Sequence, residues 1–326
     1  MDRNLRESSS PRRRGSRVFM ASTPWIPACA GMTEMLRGQM VRWLVLVLLW
    51  APAHAVTVTV TDDRGVAVTL AQPPQRIVTL MPALAEMVCE LGACGRLVGV
   101  DDFADWPQAV RRLPHVGGLE DARIETIVAL RPDVVLVPVS SRALGRLEAL
   151  GLKVVALEPK TFADVRRVLL QLGDVLGVPH ADAVWQRIEQ GVDAAARSLP
   201  ASLRGTRVYF EVDSGPYAAS ESSFLGEMLA RVGAANVVPG SLGPFPKLNP
   251  EFVVRADPEL IMISDRNAQA LKDRPGWNRI RAVREQRICN FTPAQGDVLV
   301  RPGPRMAQAA QLMVQCLRAK PGGRAP

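Results

Sequence analysis

Side chains that could carry out catalysis are scarce in this sequence. Serine and cysteine nucleophiles need a nearby base, most often histidine, and the chain has three histidines. Two of them, His115 and His180, come after the first 55 residues. No G-x-S-x-G, Walker A or G-x-G-x-x-G pattern occurs, and the stretch Ser223–Gly226 lacks the spacing of a nucleophile elbow. The sequence therefore predicts a protein that is not an enzyme.

A different set of side chains has the chemistry of binding. Aromatic residues make up 5% of the chain, yet several fall in loops that follow predicted strands, where open α/β sheets bind ligands. An exposed ring offers flat apolar contact area, and an acid–base pair orients a ligand by hydrogen bonds. The candidates are Phe103, Trp106, Tyr217, Phe245, Asp297 and Arg301. For each of them the alternative is ordinary packing under a long loop, and Arg305 is predicted to be structural.

Four cysteines follow the N-terminal segment: Cys89, Cys94, Cys289 and Cys316. An even number permits two disulfides in an oxidising compartment, and four cysteines allow three pairings. The local pairings, Cys89 with Cys94 and Cys289 with Cys316, each stay within one half of the chain. Free thiols are the alternative. A metal site is disfavoured, because Cys89 and Cys94 lie five residues apart and few histidines are available to complete it.

Short apolar strands that alternate with helices must position these residues. After residue 55 the chain begins with two alternating strands, 56–60 and 66–70, around a turn. Continuous apolar runs then predict buried parallel strands at 76–80, 96–100, 133–137, 153–157 and 206–212. Helices are predicted between these strands at 83–91 and 141–150, and at the end of the chain at 304–319.

Residues 161–199 interrupt this alternation with two helical stretches. The second, from His180 to Leu199, would be about 30 Å long. A helix without proline resists bending, and Gly191 is its one soft position. The sequence therefore predicts an α/β fold with two pseudo-symmetric α/β lobes, each with a central and mostly parallel sheet, joined by a single long backbone helix. The expected boundaries are 56–160 for the N-terminal lobe, 161–200 for the connecting helices, 201–320 for the C-terminal lobe and 321–326 for a disordered tail.

An internal repeat supports the two lobes. Glu125 and Glu251 each stand seven residues before a proline, which an acidic residue and a four-residue apolar strand follow. Each segment predicts a short helix with glutamate in its first turn, ending ahead of the proline. For one glutamate alone, interaction with the helix dipole is a sufficient explanation. Two in matched positions favour a shared role on the two lobes.

The N-terminal segment predicts export. Residues 40–55 combine a basic start, an apolar run of about eight residues at Trp43–Trp50 and small residues at Ala53 and Ala55. Cleavage is expected between Ala55 and Val56, giving a periplasmic protein, and residues 1–39 are expected to be a non-native or disordered extension.

The charge of the chain does not indicate a nucleic-acid partner. The first 55 residues hold eight of the 40 Lys and Arg and three of the 32 Asp and Glu, so five of the formal +8 charges lie there. No Lys/Arg-rich patch interleaved with aromatics follows. The sequence predicts a monomer that does not bind nucleic acid.

These features together resemble the helical-backbone class of periplasmic binding proteins, the substrate receptors of ABC importers. The resemblance covers about residues 75–318 and rests on the segments 76–80, 127–133 and 300–305 with the long helix between the halves. It implies that the protein delivers a small molecule to a permease dimer with its ATPase subunits. It also implies that Glu125 and Glu251 dock onto permease arginines.

The resemblance extends to the cobalamin-binding members of the class. It implies that Phe103 and Phe245 face a corrin ring, that Tyr217 lies in a matching loop, and that Asp297 and Arg301 contact the ligand. Leu119 stands where those members have a tryptophan, so one wall differs. The implied ligand is cobalamin or another corrinoid, with a ferric siderophore or haem as the alternative. A periplasmic sensor or scaffold without a transport role is the alternative of another class.

Overall fold

The structure is a computed structural model that describes residues 57–213, 217–264, 271 and 274–320. The predicted extension at 1–39, the export signal at 40–55 and the tail at 321–326 lie outside the described residues.

The described chain begins with the predicted hairpin. Strands β1 (Val58–Thr61) and β2 (Ala67–Leu70) pair antiparallel, with Val58 opposite Leu70. Their side chains alternate between buried and exposed positions, as expected for a strand pair that packs one face on the core.

The N-terminal lobe is built on a parallel sheet of short, buried strands. These are β3 (Ile77–Thr79), β4 (Leu97–Gly99), β5 (Val134–Val137) and β6 (Val154–Ala156), in the order β4-β3-β5-β6. Helices α1 (Pro82–Glu90), α2 (Ile124–Ala129) and α3 (Leu144–Ala149) lie between them in sequence. Strands buried on both faces explain the continuous apolar runs.

Two helices connect the lobes: α4 (Phe162–Leu176) and α5 (Ala181–Ser198). Helix α4 begins with a capping box between Thr161 and Asp164 and ends at Gly177, which adopts the left-handed conformation with φ of 67°. Helix α5 is the predicted backbone helix. Its 18 residues give a length of about 27 Å.

The C-terminal lobe repeats the α/β arrangement. Its strands are β7 (Arg207–Asp213), β8 (Tyr217–Ala218), β9 (Ala235–Asn236), β10 (Leu260–Ser264) and β11 (Ile288–Phe291). Its described helices are α6 (Phe224–Arg231), α7 (Pro250–Ala256), α8 (Arg281–Arg284), α9 (Pro293–Val300) and α10 (Met306–Ala319). Strands β9, β7, β10 and β11 are parallel, and β8 adds an antiparallel pair on β7.

The two sheets have the same strand order, which confirms the predicted pseudo-symmetry. Among the parallel strands of each lobe, the first lies between the second and the third, and the fourth is at the far edge: β4-β3-β5-β6 and β9-β7-β10-β11, with β8 as an additional antiparallel strand on β7. The repeated sequence segments occupy matching places, because α2 leads into β5 and α7 leads into β10. The α/β fold with two lobes and a connecting helix is as predicted.

One hydrophobic cluster runs through both lobes and the connecting helices, and two smaller ones cover the other faces of the sheets. Helix α5 packs along α10 within the large cluster. At this contact a Cβ on Gly191 would lie 2.6 Å from the Cβ of Ala307. Glycine at 191 is therefore explained by close helix packing.

Candidate functional site

Exposed apolar side chains concentrate where the two sheets end. Ten large hydrophobic residues are exposed among the described residues, and seven of them lie in segments that follow strands β4, β5, β7, β9 and β11, with Tyr217 at the start of β8 and Val300 at the end of α9. A grouping of this kind marks an interaction site more often than scattered single residues do. The seven are Phe103, Leu119 and Val139 in the N-terminal lobe and Tyr217, Leu242, Phe245 and Val300 in the C-terminal lobe.

The N-terminal wall of this site is formed around Phe103 and Leu119. Phe103 is 69% exposed, and its ring lies against the loop at Gly118, where a Cβ would be 3.5 Å from Phe103 Cε2. The same loop needs glycine at 117, because φ is +91° there and a Cβ would lie 2.4 Å from the Asp121 carbonyl oxygen. A cavity of about 280 Å³ opens beside the two apolar side chains, with Asp101 and Glu158 among its lining residues.

The C-terminal wall is formed by Tyr217 and Phe245, which backbone pairing brings together. Ala218 N donates to the Pro246 carbonyl oxygen at 3.1 Å, and Tyr217 forms an antiparallel bridge with Lys247. The Lys247 ammonium lies 6.0 Å from the centroid of the Tyr217 ring. Phe245 is 50% exposed, so both lobes present an aromatic side chain at the carboxyl ends of their strands.

A group of five charged side chains joins the lobes beside these walls. We call it the interlobe ion cluster, and it consists of Glu86, Asp105, Asp297, Arg301 and Arg305. Arg301 Nη1 lies 3.0 Å from Glu86 Oε1 and 2.6 Å from Asp105 Oδ1, and Arg301 Nη2 donates to the Phe103 carbonyl oxygen at 3.0 Å. Arg305 binds both oxygens of Glu86, at 2.5 and 2.9 Å.

Glu86, Arg301 and Arg305 are largely buried in the cluster, Asp105 and Asp297 are partly exposed, and the opposite charges stabilise one another. Burial alone would raise the pKa of Asp105, but its hydrogen bond to Arg301 and the nearby positive charges outweigh burial and lower the pKa. Burial likewise opposes the charge of Arg301, yet Asp105 and Glu86 raise its pKa above the usual value. Both groups are therefore charged over the physiological pH range.

The cluster changes the interpretation of two predicted ligand contacts. The Arg301 side chain is 10% exposed and already bound by several oxygens, whereas Asp297, 3.4 Å away, is 42% exposed. Of this pair, Asp297 is the residue with surface left for a ligand. Trp106 is partly buried, and the Arg305 guanidinium lies 5.2 Å from its ring centroid. Arg305 itself is structural, as the sequence predicts.

Asp101 is a buried carboxyl at the edge of the cavity. Its Oδ1 accepts a hydrogen bond from Phe103 N at 2.9 Å, while its Oδ2 has no hydrogen-bond partner. Burial raises the pKa of Asp101 to about 6, against the opposing effects of the Phe103 hydrogen bond and the Arg301 charge; the Asp102 charge adds a little to the rise. Folding therefore favours the neutral form of the Asp101 carboxyl, compared with the same group in the unfolded chain.

We expect Asp101→Asn to stabilise the protein at pH 7.5 and to have little effect at pH 4. The native state keeps the proton up to about pH 6, whereas the unfolded chain releases it near pH 4. The contribution of Asp101 to stability therefore falls as pH rises through this window and stays low above it. The expected gain at pH 7.5 is about 2–3 kcal/mol, because asparagine retains the acceptor for Phe103 N without a buried charge.

Urea unfolding of both proteins across this pH range measures the difference. Asp121→Asn is the matched control, because Asp121 is exposed and its Oδ1 accepts a hydrogen bond from Gly118 N at 2.8 Å in the neighbouring loop. An effect of Asp101→Asn that is equal at pH 4 and pH 7.5 would contradict this account of Asp101.

The repeated glutamates lie on the surface in matched places. Glu125 is in the first turn of α2 and its side chain is 82% exposed, with Arg146 at 3.3 Å. Glu251 is in the first turn of α7, is exposed, and donates its backbone N–H to Asn249 Oδ1 at 3.0 Å. Both acids are at helix N-termini, where the dipole favours negative charge.

Comparison with known proteins assigns this architecture to a family. The profile of the periplasmic binding protein family matches residues 77–294, from β3 to the start of α9. This chain belongs to the periplasmic binding protein family. The match ends before Asp297, Arg301 and Arg305, so three of the five residues of the interlobe ion cluster lie outside it.

Individual relatives of this periplasmic binding protein are similar over most of their length. An uncharacterized ABC transporter substrate-binding lipoprotein from Bacillus subtilis is 26% identical over 80% of this chain and 85% of the relative. A vitamin B12-binding protein from Pectobacterium atrosepticum is 25% identical over 82% of this chain and 91% of the relative. The structure of a periplasmic heme-binding protein from Pseudomonas aeruginosa is 30% identical, with a TM-score of 0.64 over 76% of this chain and 92% of that one.

The cysteines and histidines described in this family member make local structural contacts. The structure pairs Cys89 with Cys94 and Cys289 with Cys316, which are the two local pairings. His115 Nδ1 lies 3.1 Å from the Asp101 carbonyl oxygen, and His180 precedes α5 as its N-cap. Within the described ranges, no group of three or more His, Cys, Asp or Glu is arranged to hold a metal ion. None of the helices described is both long enough and apolar enough to cross a bilayer.

Sequence reasoning missed several residues of the site, among them Glu86, Asp101 and Asp105. A signal was present for Glu86, because it is an acid among Leu84, Met87 and Val88 in a short helix, and all four are buried. A charge in such a helix indicates a buried partner. For Asp101 the sequence offers no signal, since its burial results from how the loop folds over it.

Proposed function

We propose that this chain is the substrate-binding component of an ABC importer and that it captures cobalamin or another corrinoid between its lobes. The observation that carries the proposal is the pair of apolar walls, with Phe103 and Leu119 on one lobe and Tyr217 and Phe245 on the other, all exposed. Such walls fit a broad ligand with two flat apolar faces. A small polar solute would leave these rings in contact with water.

The charges beside the walls support a ligand that is not strongly anionic. Asp101 and Glu158 line the cavity, and Asp297 is exposed beside the interlobe ion cluster. Arg301 is neutralised by Glu86 and Asp105, and among the exposed cations beside the walls Lys160 is paired with Glu158 and Arg142 with Glu120, while Lys247 lies 6.0 Å from the Tyr217 ring centroid. The peripheral amides of a corrinoid donate hydrogen bonds that carboxylates such as Asp297 accept. Carboxylate-rich ferric siderophores would need more free cations than these walls supply.

Haem is the second candidate, and two observations favour it. The tyrosine phenol is a known iron ligand, and Tyr217 is exposed on the C-terminal wall. The heme-binding relative from Pseudomonas aeruginosa is the most similar of the three relatives described above. Against this candidate, the two propionates of haem would meet the carboxylates of the site.

Delivery to a permease is the second part of the proposed function. Glu125 and Glu251 are exposed on opposite lobes in matched helix turns, which suits two equivalent basic sockets on a permease dimer. We propose that the protein acts outside the cytoplasm, in the periplasm, after cleavage between Ala55 and Val56. The two disulfides support an oxidising compartment.

Titration of the purified protein with cyanocobalamin, haemin and a ferric siderophore tests the ligand, with absorbance and calorimetry as readouts. We expect cyanocobalamin to bind with a Kd of about 1 µM or below. Phe103→Ala is expected to weaken this binding by about ten-fold or more, because a buried aromatic contact of 1.5–3 kcal/mol is lost. Leu150→Ala is the matched control, since Leu150 is also a large hydrophobic residue that is more than half exposed, but it lies at the end of α3.

The outcomes of this titration separate the candidates. Haem binding that is lost in Tyr217→Phe, with no response to cyanocobalamin, would replace the corrinoid proposal by the haem proposal. No binding of any of the three ligands would overturn both.

A further inference from the structure

The loop that carries Phe103 belongs to one lobe but is held by the other. This segment, residues 101–107, is the Phe103 loop. Arg301 of the C-terminal lobe donates to the Phe103 carbonyl oxygen at 3.0 Å and to Asp105 Oδ1 at 2.6 Å. The Arg305 guanidinium lies 5.2 Å from the centroid of the Trp106 ring. Three successive contacts therefore cross from the C-terminal lobe to this loop.

The Phe103 loop is also bound by its own lobe, chiefly at its start, where Asp102 N donates to the Gly117 carbonyl oxygen at 3.1 Å and Arg123 Nη2 donates to Asp102 Oδ2 at 2.6 Å. Phe103 N donates to Asp101 Oδ1 at 2.9 Å, within the loop itself, and Arg111 Nε donates to the Asp105 carbonyl oxygen at 2.9 Å. The loop contains neither helix nor strand. Hydrogen bonds from a charged guanidinium are stronger than those between neutral groups, so the contacts of Arg301 are the ones that fix the Phe103 carbonyl.

Arg301 is placed to act on the ligand through Phe103 and not by touching it. Its side chain is 10% exposed, and its Nη1 is shared between Glu86 and Asp105. Phe103, bonded to Arg301 only through its backbone carbonyl, keeps its ring exposed on the wall. The guanidinium faces the cluster while the aromatic ring faces the site.

The helices between the lobes make wide hinge opening costly. Helix α5 contains no proline, and its Gly191 is packed where a Cβ would lie 2.6 Å from the Ala307 Cβ. Bending at this position would disrupt the contact with α10. A small separation of the lobes that loosens one wall therefore costs less free energy than bending of α5, and it is the movement that we expect to release a ligand.

We propose that Arg301 is a positioning residue that couples the separation of the lobes to the release of the ligand. With the lobes together, Arg301 holds the Phe103 loop so that the ring stays against the ligand. A permease that draws the lobes apart breaks the Arg301 contacts and frees this wall in the same movement. The proposal rests on the proposed function, since it assigns a role to Arg301 in the same site.

A double-mutant cycle tests the coupling, with cyanocobalamin as the probe and calorimetry as the readout. Arg301→Met is expected to weaken binding by about ten-fold in the native background and by less than about two-fold in the Phe103→Ala background. Arg301→Lys keeps the charge without the forked geometry and is expected to restore part of the loss. The control is Arg197→Met, because Arg197 is exposed on α5, far from the cluster in sequence.

Equal losses in both backgrounds would overturn the proposal, because a direct contact or a general loss of stability acts independently of Phe103. Wild-type affinity in Arg301→Met would overturn it as well.

A measurement without ligand separates this proposal from the identity of the ligand. Trp106 is partly buried beneath Arg305, whereas Trp185 and Trp277 are buried. Subtracting the fluorescence of Trp106→Phe variants isolates its signal. In ligand-free Arg301→Met the quenching of Trp106 by acrylamide is expected to rise, and in Arg197→Met it is expected to stay as in the native protein. Unchanged quenching in Arg301→Met overturns the positioning role, even where cyanocobalamin itself fails to bind.

Discussion

Replacing Glu125 and Glu251 together with alanine is expected to lower transport at least ten-fold and to leave ligand affinity unchanged. Both side chains are exposed in first helical turns on opposite lobes, and Glu125 is not among the residues that line the cavity beside Phe103. Removing one partner of a charge pair that becomes desolvated on docking costs about 2–5 kcal/mol, and each step of 1.4 kcal/mol is a factor of ten. Loss at both lobes is therefore expected to abolish productive docking, while each single variant retains part of the activity.

The measurement is uptake of the identified ligand by cells of the producing bacterium in which each variant replaces the native protein, together with calorimetry on the purified variants. The matched control is Asp193→Ala with Glu285→Ala, which removes two exposed acids from α5 and from the end of α8. Since the net charge changes equally, a general effect of charge would appear in both double variants. Normal uptake by the Glu125 and Glu251 double variant would refute the docking role of this pair.

Replacing Glu86 with alanine is expected to lower the free energy of unfolding by about 3–5 kcal/mol. Glu86 is 1% exposed and binds Arg301 at 3.0 Å and Arg305 at 2.5 Å. Without it, two largely buried guanidinium groups lose a shared counter-ion, and an uncompensated buried charge is costly. Glu86→Gln is expected to cost less, because the amide oxygen still accepts a hydrogen bond.

Chemical denaturation followed by circular dichroism measures this loss. Glu90→Ala is the control, because Glu90 lies one turn along the same helix and also pairs with an arginine, Arg187, at 2.7 Å. That arginine side chain is 64% exposed, and a solvent-exposed pair contributes about 0–1 kcal/mol. Equal losses of unfolding free energy in Glu86→Ala and Glu90→Ala would contradict the expectation that the buried Glu86 contributes more to stability than an acid in an exposed ion pair.

The elements of the fold could be predicted from the sequence because they depend on local patterns. Continuous apolar runs marked β3, β5, β6 and β10, which are buried on both faces. The turn between α4 and α5 followed from Gly177 and Pro179, which act on the backbone where they stand. Glu125 and Glu251 were placed correctly in first helical turns for the same reason, since a proline seven residues later ends each helix.

The aromatic walls were predictable in part. Phe103, Tyr217 and Phe245 follow strands, and a residue after a parallel strand lies at the ligand-binding edge of its sheet. Their exposure on both lobes agrees with that expectation. Trp106, three residues after Phe103, has the same sequence signal but lies partly buried under Arg305. A residue's place in a loop does not specify which way its side chain turns.

The interlobe ion cluster was decided by tertiary structure alone. Arg301 and Glu86 are 215 positions apart in sequence and 3.0 Å apart in the fold, and no local pattern relates them. The sequence marked Arg301 as a charged residue after a strand, which fits a ligand contact and a buried ion pair equally well. Only the approach of the two lobes, fixed by α5 against α10, brings Glu86 and Asp105 to its guanidinium. The sequence by itself determined that there are two lobes and that aromatic residues are exposed at the edges of their sheets. The packing of the lobes decided which charged side chains remain unpaired. Long-range ion pairs depend on how whole helices and strands are oriented, and no local pattern specifies that orientation.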